Sequence, residues 1–404
     1  MIHITDPYKC CGCGACVSIC PRQCIVLKKD DTEGFLYPEV DSSLCCHCDA
    51  CERVCPMLND NASLKPLYVI ACRNEDKDVR ISSSSGGIFS SLAEHIISKG
   101  GVVFGVRFSD DFGKAIFCEI SNTSDISLLR GSKYMQAETT NIYTLVRERL
   151  HQERLVLFSG TPCQIRALRL YLGQDAHSSL LYCVDIICHG VPSSEVWRRY
   201  LHNVIGNKIP SYVSFRDKTT GWKNFSMVIK TPTEVYSCVH RDDLYMQSFL
   251  RNVNLRPSCY NCQTKNGRSG ADLTIGDFWG IPSEADDDKG ISQVLVMTNH
   301  GEALLNKTQV RGTCHSESYV QQHNTAYYTS IGEPSRRRYF WRLYKKDFTK
   351  AIKCSTEYQS PIQHVKSEIY CSIIYYEYIP FRQQSKSICH RTCIQCRVIP
   401  CALY

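Results

Sequence analysis

Short apolar runs and amphipathic stretches alternate along this chain from Tyr68 onward. Consecutive apolar residues are typical of strands buried on both faces, and apolar positions three and four residues apart are typical of helices. The runs predict strands at Tyr68–Cys72, Val102–Phe108, Leu155–Phe158 and Leu180–Cys188. The amphipathic stretches predict helices at Ile88–Ser98, Ile142–Gln152, Gln164–Leu172 and Glu195–Val204. This alternation predicts an α/β core.

Three further apolar runs follow one another closely with turn residues between them, at Tyr212–Arg216, Phe225–Lys230 and Val235–His240. Such close spacing favours antiparallel strands. The sequence therefore predicts a mixed fold, of the α+β or mixed α/β class.

Cysteine sets the composition apart, with 26 in 404 residues. The segment Met1–Asp6 has no basic stretch followed by an apolar core, so we expect a cytoplasmic protein with reduced thiols. No stretch approaches the roughly 20 apolar residues of a membrane-spanning helix, so we expect no membrane span.

The first 60 residues contain an internal repeat of the run C-x2-C-x2-C-x3-C-P. In two-cluster ferredoxins the fourth cysteine of each run binds the other [4Fe–4S] cluster. The spacing assigns one cluster to Cys10, Cys13, Cys16 and Cys55, and the second to Cys45, Cys48, Cys51 and Cys20. Zinc knuckles are the alternative, but two full runs ending in proline favour clusters. Cys11 and Cys46 break the spacing and are expected to be small packing residues.

The formal net charge of +7 counts every cysteine as neutral. Each [4Fe–4S]²⁺ core with four thiolates carries about −2, so three clusters would bring the balance to roughly +1. The basic excess therefore does not indicate a nucleic-acid partner, and we expect none.

Four motifs mark the region behind the repeat. They are Ser82–Gly87, Phe158–Gln164, Cys188–Pro192, and the pair Cys259 and Cys262 followed by Gly276–Gly280. Together with the cysteine repeat, they resemble the family of coenzyme F420 hydrogenase and dehydrogenase beta subunits, as far as about Lys350. The resemblance implies an iron–sulfur flavoprotein oxidoreductase that binds FAD and exchanges electrons with an organic acceptor.

The expected domains are a dicluster ferredoxin domain at 1–62, a mixed-sheet flavin-binding core at 63–150 and 151–350, and an irregular tail at 351–404. Residues 151–350 would carry a third [4Fe–4S] cluster in addition to the two of the ferredoxin domain. The tail cysteines have irregular spacing and receive no ligand role: Cys389, Cys393, Cys396 and Cys401.

The flavin site is expected around a serine–glycine run ahead of a helix, where backbone N–H groups can approach a phosphate. This run comprises Ser83, Ser84, Ser85, Gly86 and Gly87. From the residues alone, a plain serine N-cap is the alternative. The expected site also includes Lys133, Gln136 and Thr161, the first two from a segment similar to one in the family.

Thr161 and Pro162 read as the N-cap and first residue of a helix, which places Cys163 in its first turn. The unpaired amides there are expected to stabilise a thiolate. Cys188, Cys259 and Cys262 are possible companions. Buried apolar cysteines, or a small zinc site at the last pair, are the alternatives; the resemblance favours a third [4Fe–4S] cluster.

His189 and Asp277 are the candidate catalytic residues, because histidine titrates near neutrality and burial tunes a carboxylate upward. Hydrogen bonding to a cluster cysteine or a turn cap is the alternative. The expected function is electron relay from the clusters to FAD and a small organic acceptor, F420 or another. A ferredoxin or a hydrogenase or dehydrogenase subunit would be the redox partner. The alternative is a non-enzymatic electron-transfer adaptor without a flavin.

Overall fold

The computed structural model describes residues 1–308 and 310–356. Its strands are β1 Ile25–Lys29, β2 Leu36–Val40, β3 Tyr68–Asn74, β4 Val102–Phe108, β5 Ala115–Ile120, β6 Ala137–Glu138, β7 Val156–Gly160, β8 Leu181–Ile186, β9 Tyr212–Asp217, β10 Ser226–Lys230, β11 Val235–Val239, β12 Leu273–Asp277, β13 Ser292–Val296 and β14 Val310–His315. Its α-helices are α1 Ala15–Ile19, α2 Ala50–Arg53, α3 Lys77–Ser82, α4 Ile88–Ser98, α5 Ile126–Leu129, α6 Ile142–His151, α7 Pro162–Leu172, α8 Ser194–Ile205, α9 Leu244–Leu250, α10 Asn299–Leu305, α11 Glu317–His323, α12 Thr325–Tyr328, α13 Arg337–Tyr344 and α14 Phe348–Thr356. The tail cysteines lie outside the described residues.

A nine-stranded sheet forms the centre, in the order β14-β3-β13-β12-β8-β7-β4-β5-β6. The strands from β12 through β8 and β7 to β4 pair in parallel. The β14, β3, β13 and β12 neighbours pair antiparallel, as do β4 and β5. This mixture of parallel and antiparallel pairs confirms the mixed α/β fold class.

The two faces of the central sheet are buried under different helices because side chains alternate along each strand. In β4, Val102 and Phe104 pack with α6 and α7 in one apolar core, and Val103 packs with α4 in another. This burial on both faces explains why β4, β7 and β8 read as continuous apolar runs.

A three-stranded antiparallel sheet, in the order β11-β10-β9, forms a separate layer against α8 and α9. Its core centres on Trp197, whose ring lies 4.7 Å from Phe215 and 5.2 Å from Tyr245. The antiparallel arrangement predicted for these three runs is confirmed.

The predicted bounds of β4 and α4 match the structure, and those of the other predicted strands and helices of the core lie within about two residues of it. Strands β12 to β14 complete one side of the sheet without a prediction from the sequence. The division of the chain at residues 62, 150 and 350 remains a prediction. Within the described residues, no helix combines the length and apolarity needed to cross a membrane.

We predict that Gly86→Ala lowers the free energy of unfolding by about 1–3 kcal/mol, because overpacking against fixed backbone is costly. A Cβ at Gly86 would lie 2.6 Å from the Ser292 amide nitrogen and 2.7 Å from the Cys72 carbonyl oxygen. Anaerobic urea denaturation of the full chain measures the loss. Gly332→Ala is the matched control, because a Cβ there meets nothing within 4 Å. Equal stability of the two variants would contradict the prediction.

Candidate functional site

The first cysteine group lies around α1 and consists of Cys10, Cys13, Cys16 and Cys55. The pKa of the Cys16 thiol is raised to about 12, mainly by burial and also by the thiols of Cys10 and Cys55. Burial also raises the pKa of Cys55, with Cys10 contributing again. The structure thus brings the last cysteine of the second run to the first three of the first run.

Side chains of the larger region hold the backbone of the loop formed by residues 10–13. Arg256 Nε donates to the Cys10 carbonyl at 2.6 Å, and Gln136 Nε2 donates to those of Cys11 and Gly12 at 3.2 and 3.1 Å. Thr139 Oγ1 and Tyr143 Oη both donate to the Cys13 carbonyl, at 2.7 and 2.8 Å. Four consecutive carbonyl groups are therefore fixed by the core.

The second cysteine group consists of Cys20, Cys45, Cys48 and Cys51. All four residues line a small cavity near the N-terminus. The Ile2 amide donates to Cys51 Sγ at 3.4 Å. Cys24, which the spacing did not single out, also lines this cavity, and its Sγ lies 3.4 Å from that of Cys20. Cys46 lines it as well and is exposed together with Cys48.

Within the described residues, no three histidine, cysteine or carboxylate side chains converge as around a single metal ion. The cluster assignment of these cysteines therefore rests on their spacing and on their grouping into fours.

Cys163, Cys188, Cys259 and Cys262 form a third group in the larger region. The pKa of Cys188 is raised to about 12, mainly by burial and also by the thiols of Cys163 and Cys262. Burial likewise raises the pKa of Cys259, with contributions from the other three thiols. The N-terminus of α7, the end of β8 and the turn Pro257–Asn261 supply this group.

The first turn of α7 forms as predicted, with a capping box between Thr161 and Gln164. The pKa of Cys163 nevertheless lies well above its usual value, because the Cys11 thiol lies beside it and because it is buried. These two effects oppose the one expected from the helix start, and the role of Cys163 as a ligand stays a prediction. A bound metal ion is what deprotonates such a thiol.

Cys11 links the first group to the third. Its thiol lies beside those of Cys13 and Cys163, and both of these thiols influence its pKa. Its carbonyl is held by Gln136, so the backbone cannot carry the thiol away from this position without breaking that contact. The residue expected to be a simple packing side chain therefore lies between two groups of possible ligands.

A cavity of about 470 Å³ opens beside the third group. This volume is within the range of roughly 300–1,000 Å³ that small-molecule sites occupy. Most of the predicted site residues line it: Ser83, Ser84, Ser85, Gly87, Lys133, Thr161, Cys188, His189 and Asp277. Gly86 and Gln136 are not on its wall.

The serine hydroxyls of the predicted cradle bind protein groups. Ser83 Oγ donates to the Val79 carbonyl at 2.6 Å, and Ser85 Oγ donates to the Ile291 carbonyl at 2.7 Å. Ser84 Oγ accepts from the Ser132 amide at 2.7 Å. The hydroxyls therefore hold the loop in place, and ligand binding is left to the backbone of the loop.

Helix α4 begins at this loop without a side-chain cap. Gly87, its N-cap, has φ +84°, a conformation that favours glycine. Ile88, Phe89 and Ser90 of the first turn line the cavity. The first amides of a helix have no partner within the helix, and they carry its positive end. An uncapped helix start on a cavity wall suits an anionic ligand.

Lys133 and Gln136 hold protein backbone. Lys133 Nζ donates to the carbonyls of Leu129, Arg130 and Gly131 at 3.3, 3.0 and 3.1 Å, and burial lowers its pKa to about 7. Gln136 contacts the loop of the first cysteine group, as described above. The structure thus places Lys133 on the cavity wall and Gln136 away from it.

Arg216 and Asp277 form a buried ion pair on the cavity wall. Arg216 is 7 % exposed, and its Nε and Nη2 have no hydrogen-bond partner within the described residues. Asp277 Oδ1 is likewise without one. Buried donors without partners cost free energy, so this arginine fits a cavity that receives an oxygen-bearing or anionic ligand.

His189 projects from the segment after β8 and also lines the cavity. Its Nε2 lies 2.6 Å from Asn252 Oδ1, an arrangement that requires the hydrogen on Nε2 and leaves Nδ1 as an acceptor. Burial lowers the pKa of His189. The neutral ring is therefore favoured, with one nitrogen already engaged.

These observations fit both kinds of group that the family resemblance implies. The cysteines fall into three groups of four, as [4Fe–4S] clusters require. The cavity combines an uncapped helix start with a buried arginine that has unpaired donors. A dinucleotide such as FAD needs these features for its phosphates and ring.

The motifs did not indicate Arg216, Arg256, Cys11 or Cys24. Arg216 is a charged residue within the otherwise apolar part of β9, and Arg256 stands three positions before a proposed ligand cysteine. Both positions are signals of a functional arginine that the sequence contains, because a buried cation needs a partner.

Residues 153–322 match the family model that describes the C terminus of the coenzyme F420 hydrogenase/dehydrogenase beta subunit. Residues 9–58 match the model of the 4Fe-4S dicluster domain.

A curated relative is the F subunit of the F(420)H(2) dehydrogenase of Methanosarcina mazei, 23 % identical over 311 residues, which covers 72 % of this chain and 80 % of the relative. Among solved structures, a chain of the F420-reducing [NiFe] hydrogenase complex from Methanosarcina barkeri matches with a TM-score of 0.45 and 15 % identity, over 72 % of this chain and 92 % of that chain. The resemblance drawn from the motifs is confirmed: a 4Fe-4S dicluster domain at residues 9–58 precedes a region, residues 153–322, that matches the C terminus of the coenzyme F420 hydrogenase/dehydrogenase beta subunit.

Proposed function

We propose that this chain is an iron–sulfur flavoprotein that relays electrons between a redox partner protein and a small organic acceptor. The observation that carries the proposal is the position of Cys188, which belongs both to the third cysteine group and to the cavity wall. A cluster held by this group would adjoin whatever occupies the cavity.

The residue assignments follow from the three groups. Two clusters would be held by the first and second groups, and a third by Cys163, Cys188, Cys259 and Cys262. Clusters exchange single electrons, and FAD, when bound, couples these to two-electron chemistry on an organic molecule. Cys11 joins the first group to the third, which supports an order of sites from the N-terminal domain inward.

Several groups on the cavity wall would hold FAD. The amides at the start of α4 suit a phosphate, and the serine hydroxyls keep this loop in place. Arg216 would donate to a carbonyl or anionic group through Nε and Nη2, because Asp277 already engages Nη1. Lys133 would act by holding the end of α5.

Proton handling would fall to His189 and Asp277. The Nδ1 of His189 is available as an acceptor, since Asn252 fixes the hydrogen on Nε2. Asp277 orients Arg216 and keeps one oxygen unpaired. The roles would therefore differ: His189 would exchange a proton, and Asp277 would position the arginine.

The partner protein would approach the second cysteine group, because Cys46 and Cys48 are exposed there. Leu44, next to this group, is 49 % exposed and offers an apolar contact. An F420-type deazaflavin is the first acceptor to assay, since the matched dehydrogenase relative carries it in its name. Related folds host different substrates, so other acceptors belong in the same assay.

We predict that Cys163→Ser lowers the iron content from about twelve to about eight per chain, since each cluster holds four irons. FAD should remain bound, but its reduction by a protein donor should become at least about tenfold slower, because the group beside the cavity has lost its metal. Iron and flavin analysis and anaerobic stopped-flow measurements check this result.

Cys183→Ser is the matched control, because Cys183 is a fully buried cysteine that belongs to none of the three groups. It should keep the full iron content and rate. Unchanged iron in the Cys163→Ser protein would contradict the third cluster.

We also predict that Arg216→Gln weakens FAD retention by about ten- to a hundredfold, because a hydrogen bond from a charged group contributes roughly 1.5–3 kcal/mol. Equilibrium dialysis of the reconstituted protein measures this change. Arg337→Gln is the control, since that buried arginine bonds Glu33, Tyr260 and Leu255. FAD binding that is equally tight in both variants would remove Arg216 from the flavin site.

A further inference from the structure

Arg256 is a fully buried arginine next to the first cysteine group, with 0 % of its surface exposed. It stands directly before the turn Pro257–Asn261, which carries Cys259 of the third group. Its charge interacts with the thiols of Cys10, Cys11 and Cys259. One guanidinium therefore faces two of the three cysteine groups.

Each of its nitrogen atoms is engaged. Nε donates to the Cys10 carbonyl at 2.6 Å, and Nη1 donates to Gln136 Oε1 at 2.8 Å. Nη2 donates to the Leu36 carbonyl at 2.9 Å and to Cys10 Sγ at 3.3 Å. None of these four acceptors is a carboxylate.

Among the described residues, no carboxylate forms an ion pair with this guanidinium. The guanidinium lies 4.4 Å from the ring centroid of Tyr37 and 5.3 Å from that of Phe35, and Gly12 packs so closely that a Cβ would lie 2.6 Å from Nη1. A buried cation is strongly unfavourable unless an anion offsets it. The negative charge within reach is that of the cysteine sulfurs.

We propose that Arg256 is a positioning residue that raises the reduction potential of the cluster held by Cys10, Cys13, Cys16 and Cys55. This inference rests on the proposed assignment of those four ligands. A reduced cluster carries one more negative charge than an oxidised one. A fixed guanidinium, with an N–H···S hydrogen bond to one ligand, therefore stabilises the reduced form more.

The second cysteine group lacks this arrangement in the described structure. Arg53 Nη1 donates to the Cys48 carbonyl at 2.8 Å, but the contact is exposed to solvent, which screens its charge. The two clusters of the ferredoxin pair would thus differ in potential although their ligand runs are alike. The cluster of the first group is here called the inner cluster, and that of the second group the outer cluster. A higher reduction potential at the inner cluster favours electron flow from the exposed outer cluster toward the core.

The test is an EPR-monitored redox titration of the full chain after anaerobic reconstitution, with Arg256→Gln and Arg256→Lys as variants. We expect the inner cluster to titrate at a lower potential in Arg256→Gln, and at an intermediate potential in Arg256→Lys, which keeps the charge but loses the planar fork. The outer cluster should titrate as before. A Cys48→Ser background, in which only the inner cluster of the pair remains, assigns the signals.

Arg80→Gln is the matched control, because this buried arginine bonds Asp287 and the Gly290 carbonyl instead of a cysteine. It should shift neither potential. If Arg256→Gln fails to retain the inner cluster, the lysine variant decides: a retained cluster at lowered potential supports the proposal.

Three results would overturn the proposal: unchanged potentials, equal shifts in both clusters, or loss of the inner cluster in both Arg256 variants, which would make Arg256 a structural anchor only. FAD plays no part in this readout. Absence of a flavin would therefore refute the proposed function and leave the titration result standing.

Discussion

The structure depends on the four consecutive carbonyl groups of residues 10–13 and the side chains that bind them. Arg256, Gln136, Thr139 and Tyr143 all donate to this loop from the larger region. Such bonds are strong constraints, because an unpaired buried carbonyl is costly. They dock the first cysteine group against the core, and they set Cys11 against Cys163.

The central sheet explains why the third group and the cavity share a wall. Parallel strands β7 and β8 end at the same edge, where Thr161, Cys163 and Cys188 follow them. Ligand sites in open α/β sheets lie at the carboxyl ends of strands for this reason. A single cavity at this edge has both Cys188 and the start of α4 on its wall.

The sequence predicted the regular parts well, since apolar runs and capping signals depend on nearby residues. Thr161 and Pro162 marked the start of α7 correctly. Gln136 was assigned to the flavin, yet its amide binds the loop of the first cysteine group, because a motif does not say which way a side chain faces. Arg216 and Arg256 were missed, since their importance arises from burial and from partners that are distant in the sequence.

The cysteine groups likewise combine features that the sequence predicted with features that only the structure revealed. Regular spacing identified the runs. The structure added Cys11, which the spacing had set aside, and Cys24, which the spacing had not singled out. The central claim is that the cavity holds a flavin beside iron–sulfur clusters. Its most direct measurement is the visible spectrum of anaerobically purified protein, before and after the protein is denatured and removed. The account predicts broad cluster absorption at first, and then released FAD in a stoichiometric amount. Full iron content with no released flavin would contradict it, and would identify the chain as an electron-transfer adaptor.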